Sequence, residues 1–119
     1  MKICELLAEA MPRSEWIFPD GRLYLSSHFF DRRDERIPEI TMPRIQQVFN
    51  AAVDLAGAYI RSLHDTRFII VTKDGYKIPV VKRELPDTPG EYEYVAATVL
   101  SPYMKAEPNL IAINLPIDL

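Results

Sequence analysis

An α+β fold, with N-terminal helices packed on one face of a four-stranded antiparallel sheet, follows from three features of the chain. Its first half carries apolar residues at three- and four-residue spacing, its second half changes to a spacing of two, and the strand-like runs are joined by short connections. Helices gathered ahead of an antiparallel sheet make a two-layer sandwich. With 119 residues, 48% hydrophobic and 26% charged, the chain is long and apolar enough to bury one core, so a single domain, 1–119, is expected.

Residues 2–10 place Ile3, Leu6, Leu7 and Ala10 on one side, which predicts a short helix, 1–11 at its widest, ended by Pro12. A helix that short must dock, either on the body or on another chain, including a second copy. Trp16, Ile17 and Phe18 precede a Pro19-Asp20-Gly21 turn, and Trp16 is expected to plug the edge of the core. Leu23 and Leu25 lead in extended form to Ser26 and Ser27, either of which can cap a helix over 28–36. Pro38 closes that segment. Thr41 caps the next, with Pro43 in its first turn. Ile45, Val48, Phe49, Ala52, Val53, Ala56, Tyr59, Ile60 and Leu63 then predict a helix over 43–64.

After His64 the period is two. Phe68 to Val71 is a β-branched run, Lys73-Asp74-Gly75 is a hairpin turn, and Tyr76, Ile78 and Val80 alternate with Lys77, Pro79 and Val81. Pro79 cannot donate a ladder hydrogen bond, which favours an edge strand or a bulge. A Pro-rich loop at 84–91 leads to a third strand over 92–100, broken by Pro102, and a fourth fits 110–115. The body is thus 27–115. The acidic loop at 84–93 could mimic nucleic acid, hold a partner or simply be solvated.

Several classes of function are disfavoured. A net charge of −3 argues against non-specific coating of nucleic acid, although a local basic patch survives such an average. Cys4, the only cysteine, forms no internal disulfide or structural zinc site and is expected to pack rather than react; His28 and His64 share no metal-ligand spacing. No metal or other cofactor is expected. Four scattered glycines make no phosphate cradle. No apolar run approaches bilayer length and the N-terminus does not read as a secretory signal, so the expectation is a cytoplasmic protein without a membrane partner. Gln46, Gln47, Asn50 and Arg61 do not make a basic recognition face for DNA.

One constellation carries chemistry. On a helix, His28, Arg32 and Arg36 fall at i, i+4 and i+8 and line one face, with Phe29 and Phe30 as apolar anchors. An imidazole beside two guanidiniums suits binding a phosphate and moving a proton next to it. The competing reading is a solvated face whose arginines pair with Asp31, Asp34 and Glu35. A second set, Thr98, Ser101, Tyr103 and Lys105, lies at the exit of the third strand, with Thr98 on the face of Tyr94, Ala96 and Leu100.

The pattern His-Phe-x-x-Arg-x-x-x-Arg from His28 to Arg36, with Thr98-Val99 and Lys105 near the third strand, resembles small phage and bacterial domains of uncharacterised type. Their layout is similar to the ribonuclease-like group of barnase, EndoU, the colicin tRNases and RelE toxins. The resemblance covers 27–115; the loop 84–91 and the acidic charge depart from it. It implies metal-independent RNA cleavage or RNA binding, with RNA or the ribosome as partner. His28 would transfer the proton, Arg32 and Arg36 would clamp the phosphate, and Thr98, Tyr103 and Lys105 would orient the substrate. The alternative is a non-catalytic accessory or virion-associated module that binds another protein.

Overall fold

The computed structural model describes residues 17–64 and 66–119. The expected helix at 2–10 and the position of Trp16 lie outside them. The chain runs β1 (Ile17–Phe18), β2 (Gly21–Leu25), α1 (Ser27–Arg36), α2 (Met42–Ser62), β3 (Thr66–Val71), β4 (Lys77–Glu84), β5 (Tyr92–Ala96) and β6 (Ile111–Asn114). Both helices start where their caps require. The Ser26 hydroxyl accepts from the Phe29 amide at 3.1 Å and the Thr41 hydroxyl from the Arg44 amide at 3.4 Å, each satisfying a donor that the first turn leaves open. α2 bends at Ala56, next to Gly57, where Pro19 packs against it.

The class is α+β, but the sheet is neither four-stranded nor antiparallel throughout. Its order is β1-β2-β5-β4-β3-β6. β2 lies parallel to β5 and β6 parallel to β3; the remaining pairs are antiparallel. Between β2 and β5 the chain makes both helices and the β3–β4 hairpin, a connection long enough to return in parallel. Residues 97–110 likewise carry the chain from β5 past β4 and β3 to the far edge. The short-connection argument holds for β3–β4, closed by the turn at Thr72–Gly75, where Gly75 takes φ +94°. It also holds for β4–β5, where the Glu84 carboxylate accepts from the Gly90 amide at 2.9 Å and closes the acidic loop.

Pro79 sits in a central strand rather than at an edge, and a bulge accommodates it. Lys77 and Leu100 exchange backbone hydrogen bonds, and the next rung joins Val80 to Ala96. Two residues on β4 therefore face three on the partner chain, Ala97, Thr98 and Val99. The ring nitrogen of Pro79 points to this side, so no donor is lost where the partner leaves the ladder. The expected strand over 92–100 accordingly ends at Ala96 and touches the sheet again only at Leu100. The extra residue also turns Val99 into the core and leaves Thr98 half-buried, so Thr98 does not share the face of Tyr94 and Ala96.

One core lies between the helices and one face of the sheet. Phe29 and Phe30 of α1 and Ile45, Val48, Phe49, Ala52 and Ile60 of α2 meet Leu23, Leu25, Phe68, Ile70, Ile78, Val80, Tyr94, Ala96 and Ile113. Phe18 joins the layers, its ring 4.9 Å from Tyr94 and 5.7 Å from Phe49, centre to centre. No helix of the described residues is long and apolar enough to cross a membrane. The parallel seam depends on Gly21, because a Cβ there would collide with the Tyr92 carbonyl oxygen. Gly21→Ala is expected to lower stability by about 1–3 kcal/mol, read as a lower urea midpoint with unchanged slope.

Candidate functional site

α1 forms as its cap and apolar pair dictate, and its two phenylalanines hold it on the core. The row of three cations does not act as one. His28 is exposed in the first turn. Arg32 Nη1 donates to both carboxylate oxygens of Glu35, at 2.8 and 2.9 Å. Arg36 turns to the sheet, where its Nη1 donates to the Val99 carbonyl at 2.5 Å and to the Thr98 hydroxyl at 3.3 Å. Val99 is the residue that the bulge lifts off the ladder, so the guanidinium satisfies a carbonyl the sheet has released.

Of the expected substrate-orienting residues, only Thr98 meets the α1 row, through Arg36. Tyr103 is 87% exposed and Lys105 is exposed; among the described residues neither bonds to α1. Ser101 is buried, and its amide donates to the Met104 sulfur at 3.4 Å. The charge pairs thus follow the solvated reading for Arg32, and Arg36 is a fastening between helix and sheet.

A second polar cluster lies where α2 ends, and its central residue was not anticipated. Lys82 occupies an inward position of β4, in step with Ile78 and Val80, and is wholly buried. Its ammonium donates to the Asp20 carboxylate at 2.9 Å and to the carbonyls of Ile60 and Arg61 at 3.0 and 3.2 Å. Those carbonyls belong to the last turn of α2, which a helix leaves without internal donors and with partial negative charge. The ammonium also stands 4.5 Å from the ring centre of Tyr92 and 5.4 Å from that of Tyr94. The Tyr94 hydroxyl donates to the other oxygen of Asp20. Burial, then the bond and charge of Asp20, push the Tyr94 phenol well above the ordinary tyrosine value. Arg61 ties the same turn to α2 by donating to the Pro19 carbonyl at 2.9 Å, and exposed His64 contacts the Tyr92 hydroxyl at 3.2 Å.

An open hollow of about 430 Å³ borders this cluster, with Asp20, Arg22, Leu85, Glu91 and Tyr92 among its walls. Every polar contact of the Lys82 ammonium and both oxygens of Asp20 are engaged inward, which makes the cluster a tie between three elements. Its sequence signal was a lysine falling on the apolar beat of an alternating strand. The described residues contain no group of histidine, cysteine or carboxylate side chains arranged to hold a metal ion. No protein-family model, curated protein or solved structure matches the chain.

Arg36→Ala should cost about 1–3 kcal/mol, since it strands the Val99 carbonyl, whereas Arg32→Ala should stay within about 0.5 kcal/mol; chemical denaturation of the two variants makes the comparison. Lys82→Met should cost about 3–5 kcal/mol by leaving Asp20 and the α2 carbonyls without their cation. Because the folded Tyr94 phenol loses its proton at higher pH than the unfolded one, its contribution is complete below the ordinary value of 10.0 and is lost as pH rises beyond it. Wild type should therefore lose stability above that pH, and Tyr94→Phe should remove the Tyr94 share of the loss in denaturation curves taken across the alkaline range.

Proposed function

We propose that this chain is a non-catalytic protein-interaction module that docks a partner on the sheet face opposite its helices. The observation that carries the reading is the one-sided layering: among the described residues both helices cover the same face. The other face presents Val71, Pro79, Val81 and Val95, half-buried or exposed, with Val81 37% exposed; Ile69, on the same face, is already covered by the chain itself at 4% exposure. A sheet in a two-layer domain is ordinarily polar on its solvent side, so an apolar strip there is the feature a partner would cover.

The rim of that strip is charged in both signs. Arg83 pairs with Glu93 at 2.6 Å and Arg67 with Glu107 at 2.6 Å. An apolar centre within a polar rim is the anatomy of a docking surface. The strip deepens where β2 hands over to α1, in an open hollow of about 500 Å³ walled by Tyr24, Val95, Arg83, Glu93 and the Ser26–Ser27 start of the helix.

The ribonuclease-like reading needs His28, Arg32 and Arg36 to converge on one phosphate. The engagement of Arg32 with Glu35 and of Arg36 with Val99 favours the docking reading over it.

Two assays on the full chain separate the readings. Incubation with tRNA, total RNA and ribosomes in chelator should leave RNA intact for wild type and for His28→Ala alike. Capture from a cell lysate should retain a partner that Val81→Arg loses and His28→Ala keeps. RNA cleavage by wild type that His28→Ala abolishes would overturn the proposal, as would a bound partner indifferent to Val81→Arg.

A further inference from the structure

We propose that β6 is a homodimer seam, pairing antiparallel with β6 of a second copy about a two-fold axis at Ile113. The two edges of the sheet are built differently. β1 is only two residues long and runs into Pro19, which blunts that edge. β6 is a four-residue strand at the other end of the order, and among the described residues no strand lies beyond it.

The orientation of its backbone is set by its parallel neighbour. The Leu115 amide donates to the Val71 carbonyl at 2.8 Å, so Leu115 faces β3. By alternation Ile113 and Ile111 face β3 as well, and Ala112 and Asn114 turn their N–H and C=O groups outward. The outer edge therefore presents two donors and two acceptors, spaced symmetrically about Ile113.

What complements such a row is another strand, and the sequence favours a second copy as that strand. In antiparallel register with Ile113 opposite its own equivalent, Ala112 meets Asn114 of the second copy and Asn114 meets Ala112 of the second copy. All outward groups of 112 and 114 on both chains are then paired. From Leu110 to Ile117 the chain carries no charge, so two copies meet there without like-charge repulsion. β6 is short and Pro116 follows it, but the strand carries neither an inward charge nor a lysine to repel a second copy. Ile111, Ile113 and Leu115 belong to the core or pack against it, and Ile111 is only partly buried. Ile113 and Leu115 are already only 5% and 4% exposed within one copy, so the seam is held mainly by its backbone hydrogen bonds, and Ile111 is the side chain it would cover further. That axis stands perpendicular to the sheet, so both helix layers stay on one side and the open face of each copy stays free for the partner proposed above. The two surfaces are separable.

Sedimentation equilibrium of the full chain over a wide concentration range tests the seam, with amide hydrogen exchange as a second readout. Wild type should reach twice the chain mass, with the Ala112 and Asn114 amides gaining protection as concentration rises. Ala112→Pro removes an outward N–H, and Ala112→Lys combined with Asn114→Lys sets lysines directly opposite each other across the seam on exposed side chains. Both should be monomers with unchanged far-ultraviolet spectra, and the double lysine variant carries the test if Ala112→Pro folds poorly. Val81→Arg should remain a dimer. A wild type that stays monomeric throughout would overturn the proposal. So would a dimer that survives both Ala112→Pro and the double lysine variant, one that leaves the two amides unprotected, or one lost in Val81→Arg.

Discussion

The ammonium of Lys82 is the constraint around which this molecule is arranged. A cation withdrawn completely from water must find oxygens, and here they come from three separate places in the chain: the turn at Asp20, and two carbonyls at the end of α2. Because the ammonium is seated on β4, the strand, the helix end and the first turn are placed relative to one another by a single group. Replacing such a cluster with apolar side chains of equal volume could leave the stability unchanged, whereas removing one member strands the others. Its contribution is therefore geometric as much as energetic. Tyr94 extends the tie to β5 through the same carboxylate, and Phe18 packs its ring against Tyr94.

A second chain of causes starts from Pro79. A residue with no N–H in a central strand opens a gap in the ladder; the neighbouring chain fills the gap with one residue more than its partner. The bulge drives Val99 into the core and frees its carbonyl, which Arg36 then satisfies from the last turn of α1. A basic side chain at a helix C-terminus is also well placed against the helix dipole. The arginine most suggestive of phosphate binding thus has a structural task created by a proline more than forty positions away in sequence.

These two ties explain why the polar groups of the helical layer are occupied and where the free surface lies. The chemistry-bearing row on α1 is divided among solvent, an ion pair and a backbone carbonyl. Among the described residues, the sheet's other face and its β6 edge carry half-covered valines around the buried Ile69, a proline, and a strand backbone facing outward.

Sequence alone determined the elements whose causes are local. The three- and four-residue spacing from Ile45 to Leu63 specified α2, Ser26 and Thr41 specified where the helices begin, and Asp74-Gly75 specified the hairpin, because caps, turns and amphipathic periods involve residues within a few positions of one another. The missing donor at Pro79 was legible for the same reason, being a property of one residue, but whether it meant an edge or a bulge was decided by the pairing of β4. Tertiary structure decided what depends on pairing across long stretches. That β2 joins β5 in parallel, that β6 crosses to the far edge, that Lys82 on the apolar beat of β4 finds Asp20 and the end of α2, and that Arg36 meets Val99 are outcomes of which surfaces meet. Residue spacing within any single segment carries no record of that.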